Sequence, residues 1–244
     1  MRKFWRAGAR SLINLFRKTA MENLDKWCFS WFEASPTAGA DRAGLWLASR
    51  WTPGTTITIS FLDGDPALQA RVEAVARQWI QPGRANLFFN FRTDTNKTHV
   101  RISFAQDGSW SVLGTTARRI PDGEATMNFG WLTPQSPDAE LERVVLHEFS
   151  HALGLVHEHQ LPAGGIIWNK PAVYADLGGK WSQEKIQRNL FDTIDPAEAA
   201  MTNLDPNSIM MYPIKKSWTL SGFSTGLNAK LSPTDIAFIH NMYS

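Results

Sequence analysis

The chain has 244 residues, of which 43% are hydrophobic and 20% charged, with a formal net charge of +2. That length buries a substantial core in one large domain or two small ones. The composition excludes a disordered chain, and the near-neutral charge gives no case for a nucleic-acid partner. One cysteine, Cys28, excludes an intramolecular disulfide, and no apolar run reaches the ~20 residues needed to span a membrane.

Residues 1–44 read as a separate segment. Trp5, Leu12, Phe16, Ala20, Leu24, Trp27 and Trp31 recur near helical spacing. Six basic residues precede the first acid, Glu22. Such a basic amphipathic helix docks on its own domain, contacts a membrane surface, acts as an export or targeting segment, or covers a groove. The apolar stretch Ser11–Phe16 is short and closed by Arg17-Lys18, so a secretory signal peptide is not expected. Cys28, between Trp27 and Phe29, reads as an ordinary apolar residue, with a metal-blocking thiolate as the alternative. Small, turn-rich residues over 34–44 mark the boundary.

From residue 45 the pattern is that of a mixed domain. Thr55–Leu62 alternates and is β-branched, a strand. Asp65 caps a helix that starts at Pro66 and runs to Ile80. Residues 85–91 and 99–104 are two more strands, and His99 is an incidental surface residue. Gly108–Ser111 reads as a loop, and residues 125–131 as a short strand. Ser136-Pro137-Asp138 starts a helix, with Ser136 as the cap.

That helix carries His147-Glu148-Phe149-Ser150-His151-Ala152-Leu153-Gly154-Leu155-Val156-His157. The spacing H-E-x-x-H-x-x-G-x-x-H matches a known metalloprotease pattern. His147 and His151, four apart, share one helix face and can converge on one ion. Glu148 is offset about 100° and stands beside the ion rather than on it. His157 can reach the same ion only if the chain turns back, and Gly154 is the residue that can take the left-handed turn. H-E-x-x-H alone arises by chance in roughly one such chain in 150, the full pattern on the order of 10⁻⁵. Beyond it, residues 169–177, 181–191 and 196–201 read as short helices and 205–213 as a turn. Ser232 caps a last helix.

With that motif and a later Ser208-Ile209-Met210-Met211-Tyr212, the chain resembles the metzincin zinc endopeptidases over about residues 50–244. Glu158 directly after the third histidine, together with S-x-M-x-Y, is most similar to the astacin branch, in its bacterial and fungal members. The resemblance implies an α+β metzincin-like (zincin) fold: a twisted, mostly parallel sheet with an antiparallel edge strand, an active-site helix, and a smaller irregular C-terminal subdomain ending in a helix. It divides the domain into residues 45–157 above and 158–244 below. His147, His151 and His157 would bind Zn²⁺. Glu148 would be the general base for a metal-bound water, and Tyr212 would stabilise the oxyanion. Met210 would form the floor beneath the metal, with Gly154 and Glu158 in support. An edge strand at 125–131 would pair with an extended protein or peptide substrate. Lys215 and Lys216 would line a specificity pocket and favour an acidic residue. The expected molecule is a monomeric zinc metalloendopeptidase, extracellular by resemblance. The alternatives are a non-proteolytic binding module on the same fold and a zinc hydrolase of cell-wall peptides.

Overall fold

The computed structural model describes Cys28 and residues 49–161, 165–194 and 203–244. The N-terminal helix, the 34–44 boundary and the helix expected at 196–201 lie outside these residues, apart from Cys28.

β1 (Thr56–Phe61) buries Ile57 and Ile59. α1 (Pro66–Ala76) opens as the sequence indicates, with Asp65 accepting from the Ala67 amide at 2.8 Å. A 3-10 turn at Arg77–Ile80 ends it. β2 (Phe88–Arg92) then pairs parallel to β1, as a strand–helix–strand crossover requires. β3 (Val100–Ser103) joins the other side of β1. β4 (Ser109–Ser111) and β5 (Met127–Phe129) complete a sheet of order β2-β1-β3-β5-β4, antiparallel only between β4 and β5. The α+β class and the antiparallel edge are as expected.

Two strand assignments are corrected. Ser109–Ser111 is the edge strand, not a loop, and residues 127–129 lie inside the sheet between β3 and β4. β4 is only three residues long, too short for alternation to show. Its geometry is set from outside: the Asn128 amide donates to the carbonyls of Gln106 (2.9 Å) and Gly108 (2.6 Å) and holds the approach to the strand. His99 is also more than incidental. It is half-buried, and its Nδ1 accepts from the Thr58 amide at 3.1 Å.

α2 (Asp138–Ala152) lies across the sheet and buries Leu141, Val144, Val145, Leu146 and Phe149 in the main core. Ser136 does not cap it. Its hydroxyl accepts from the Thr133 amide, and Pro137 takes the cap position. The far end of α2 is held by aromatic donors. Trp51 Nε1 donates to the Ala152 carbonyl (2.8 Å) and the Tyr243 hydroxyl to that of Leu153 (2.5 Å). These are the carbonyls a helix end leaves without an intrahelical partner. Trp79 Nε1 reaches the Leu146 carbonyl at 3.1 Å. Thus two of the eleven tryptophans serve to fix the helix that carries the motif.

α3 (Lys170–Leu177), α4 (Gln183–Ile186) and the irregular chain through Trp218 build a second apolar cluster around Val173, Leu177, Ile186, Leu190 and Ile214. α5 (Pro233–Tyr243) returns to the main core through Ile239, Met242 and Tyr243. It begins with a capping box in which Ser232 and Asp235 satisfy each other's amides.

Candidate metal centre

α2 ends one residue before the turn the motif needs. Gly154 has φ +93° and donates its amide to the His151 carbonyl at 2.8 Å. The chain reverses there and brings His157 back over the helix face. His147 Nε2 then lies 3.2 Å from His157 Nε2, and His151 Nε2 lies 3.3 Å from it. All three rings are buried.

The hydrogen bonds fix which nitrogen is the donor on each ring. His147 Nδ1 faces the Ile209 carbonyl and His151 Nδ1 the Leu155 carbonyl, each at 2.8 Å. A carbonyl only accepts, so both hydrogens sit on Nδ1. His157 Nδ1 faces Gln160 Oε1 at 3.3 Å, and that amide is oriented by its own donation to the carbonyls of Arg188 and Asp192. The Nε2 lone pairs of His147 and His151 therefore both face that of His157, at 3.2 and 3.3 Å. Burial holds all three imidazoles neutral, pulling His151 down to about 4 and His147 and His157 well below the ordinary histidine value. Neutral lone pairs crowded together repel unless a cation lies between them, and this is the donor set a divalent metal takes.

The fourth member is Cys28. Its Sγ and one nitrogen from each of the three histidines all lie within 4.8 Å of one another. This corrects the reading of Cys28 as a plain apolar residue. It is buried, but against the polar centre. Its backbone makes a parallel bridge with Ser109 on β4, and its carbonyl accepts from the Tyr212 hydroxyl. Its thiol donates to Glu148 Oε2 at 3.2 Å. Burial and the facing Glu148 keep that thiol well above its ordinary value. A bound cation reverses this preference and favours the thiolate.

Glu148 stands beside the three histidines, as its helical offset requires. Its Oε1 is buried without a hydrogen-bond partner among the described residues. Burial pushes its pKa up to about 8, against the lowering effects of the Cys28 thiol and Arg143.

The methionine turn supports the site from the other side. The Asp235 carboxylate accepts from Ser208 Oγ (2.7 Å) and from the amides of Ile209 (2.9 Å) and Ser232 (2.8 Å). The Ile209 carbonyl is the one that orients His147. Met210 is buried in the main core. Its carbonyl accepts from the Glu158 amide at 3.1 Å, while Glu158 Oε1 takes the Asp205 amide at 2.9 Å. The Tyr212 ring lies 4.4 Å from that of His157 and 4.5 Å from that of His159. His159, two residues past the motif, is buried, with Nε2 on the Asn189 carbonyl at 2.8 Å. Lys215 is drawn off to Asp176 at 2.9 Å and is not in the cleft lining, nor is Lys216.

No protein-family model and no curated protein sequence matches the chain. Among solved structures, one of myroilysin aligns with a TM-score of 0.78 and 40% identity, over 81% of this chain and 97% of that one. A second myroilysin structure aligns at 0.64 and 37%, over 90% and 91%. The chain belongs to the myroilysin family. The metzincin-like fold expected from the motif is thereby shown. The buried histidine–cysteine group could hold a metal ion in this member of the myroilysin family.

Proposed function

We propose that this chain is a zinc metalloendopeptidase whose described state is latent. The observation that carries the reading is the convergence of three Nε2 lone pairs, each oriented by an acceptor at Nδ1, with the Cys28 thiol beside them. His147, His151 and His157 would hold Zn²⁺, and Cys28, as a thiolate, would be a fourth ligand at the place a catalytic site leaves for water. When bound, zinc supplies Lewis acidity to the scissile carbonyl and to water. Glu148 takes the proton from the attacking water and passes it to the leaving amine. Its unpartnered Oε1 supports that assignment, since a structural carboxylate buried there would be expected to have a donor. Tyr212, once its hydroxyl leaves the Cys28 carbonyl, is the donor for the developing oxyanion. An extended substrate adds to β4, where the Cys28 backbone now pairs. Met210, Gly154 and Glu158 hold the ligands in place. Glu158 and the S-x-M-x-Y turn favour placement near the astacin branch.

The test is peptide cleavage by the zinc-loaded full chain. The wild type should be slow, Cys28→Ala at least tenfold faster, and Cys28→Ala with Glu148→Gln inactive while retaining zinc. A doubly substituted chain that cleaves as fast as Cys28→Ala would sink the reading.

A further inference from the structure

We infer that Arg143 is the specificity-determining residue of this cleft, limiting by its length the side chain that a substrate places beside the scissile bond. The inference rests on the peptidase reading above and extends it to substrate class.

A cleft of about 410 Å³, open to solvent, lies against His147 and Glu148 and is walled by Trp131, Arg143, Val144, Pro213, Leu227 and Asn228. Arg143 is four residues before His147, so it lies one turn back on the same face of α2. A peptide whose scissile carbonyl sits at the histidines offers its neighbouring side chain to this cleft. Apart from Arg143 and Asn228, these walls are apolar.

The charge of Arg143 is already answered. Its Nε donates to Glu140 Oε2 at 3.0 Å and a terminal nitrogen donates to Oε1 at 2.9 Å. Trp131 Nε1 donates to the same Oε1 at 3.0 Å and fixes the carboxylate. The Arg143 side chain is 14% exposed. A two-point pair of this kind sets direction as well as energy. The guanidinium thus acts as a rigid partition rather than a mobile counter-charge. An acidic substrate side chain would have to displace Glu140 from it and would also face Glu148. The cleft therefore selects apolar side chains of limited length, such as Ala, Val and Leu, over Asp or Glu and over Phe or Trp. This replaces the acidic preference expected from Lys215 and Lys216.

The experiment is kcat/KM profiling of the zinc-loaded full chain carrying Cys28→Ala, on peptides varied at the two positions flanking the cut. The parent should favour Ala, Val or Leu at one flanking position by at least tenfold over Trp and over Asp. Adding Arg143→Ala, with Glu140→Gln so that no carboxylate loses its partner, should raise the relative rate for Phe and Trp at least tenfold. Arg143→Met, similar in length but uncharged, should keep the parent's size limit. Melting curves and zinc stoichiometry verify the fold of each variant. An Arg143→Ala profile identical to the parent's overturns the inference and leaves the peptidase reading standing. So does a parental preference for Asp that Arg143→Met abolishes. A zinc-loaded parent that cuts nothing overturns the peptidase reading and the inference with it.

Discussion

Asp235 is the residue through which the last helix reaches the metal centre, and its removal should be felt in both stability and metal binding. The carboxylate is 4% exposed and takes three donors: Ser208 Oγ, the Ile209 amide and the Ser232 amide, at 2.7–2.9 Å. Asp235→Ala leaves these three groups without their acceptor. At about 1 kcal/mol net for each, the loss of folding stability is about 3 kcal/mol. Asp235→Asn retains one acceptor oxygen and should lose about half as much. The Ile209 carbonyl orients His147 at 2.8 Å, so the Ala variant should also bind zinc about 10–100-fold more weakly, the usual cost of disturbing a ligand's support. Urea unfolding followed by tryptophan fluorescence, with competitive zinc titration, measures both. A loss below about 1 kcal/mol with zinc affinity unchanged would refute the claim that Asp235 ties α5 to the site. Burial also raises the Asp235 pKa above the ordinary carboxylate value, against the lowering effect of its hydrogen bonds. The folded state then holds this proton more tightly than the unfolded chain. The stability this gives is full below the unfolded pKa and is lost as pH rises through the folded one. That slope should be absent in Asp235→Asn.

Other expectations follow from the same geometry. Gly154→Ala forces a β-carbon into φ +93°, costing about 1–2 kcal/mol and displacing His157, which a lower melting temperature and weaker zinc binding would register. Trp51→Phe removes the donor to the Ala152 carbonyl and should destabilise the chain by about 1–2 kcal/mol, read by urea unfolding. Stripping zinc with a chelator should lower the melting temperature, and readdition should restore it, because the ion binds the folded chain alone. An unchanged melting curve across that cycle would argue against occupancy of the histidine site.

The motif was legible because its chemistry is local. His147, Glu148, His151, Gly154 and His157 fall within one helix and its terminal turn, and helical period alone puts two of the histidines on one face. The β1–α1–β2 crossover and the capped last helix were legible for the same reason. What sequence missed depends on contacts between distant segments. β4 is three residues long and its approach is held by Asn128, so no periodicity marks it. Cys28 has apolar neighbours in sequence and gains its meaning only through Ser109, Glu148 and Tyr212, at least 81 residues away. Lys215 lies close to the methionine turn in sequence yet points to Asp176. Arg143, unremarked among helix residues, faces the cleft.

The central claim is that Cys28, His147, His151 and His157 together hold one zinc ion. Zinc K-edge X-ray absorption on the full chain tests it most directly. The account predicts one equivalent of zinc with three nitrogen neighbours at about 2.0–2.1 Å and one sulfur at about 2.3 Å, the sulfur disappearing in Cys28→Ala. A shell of nitrogen and oxygen alone in the wild type, or no stoichiometric zinc, would contradict it.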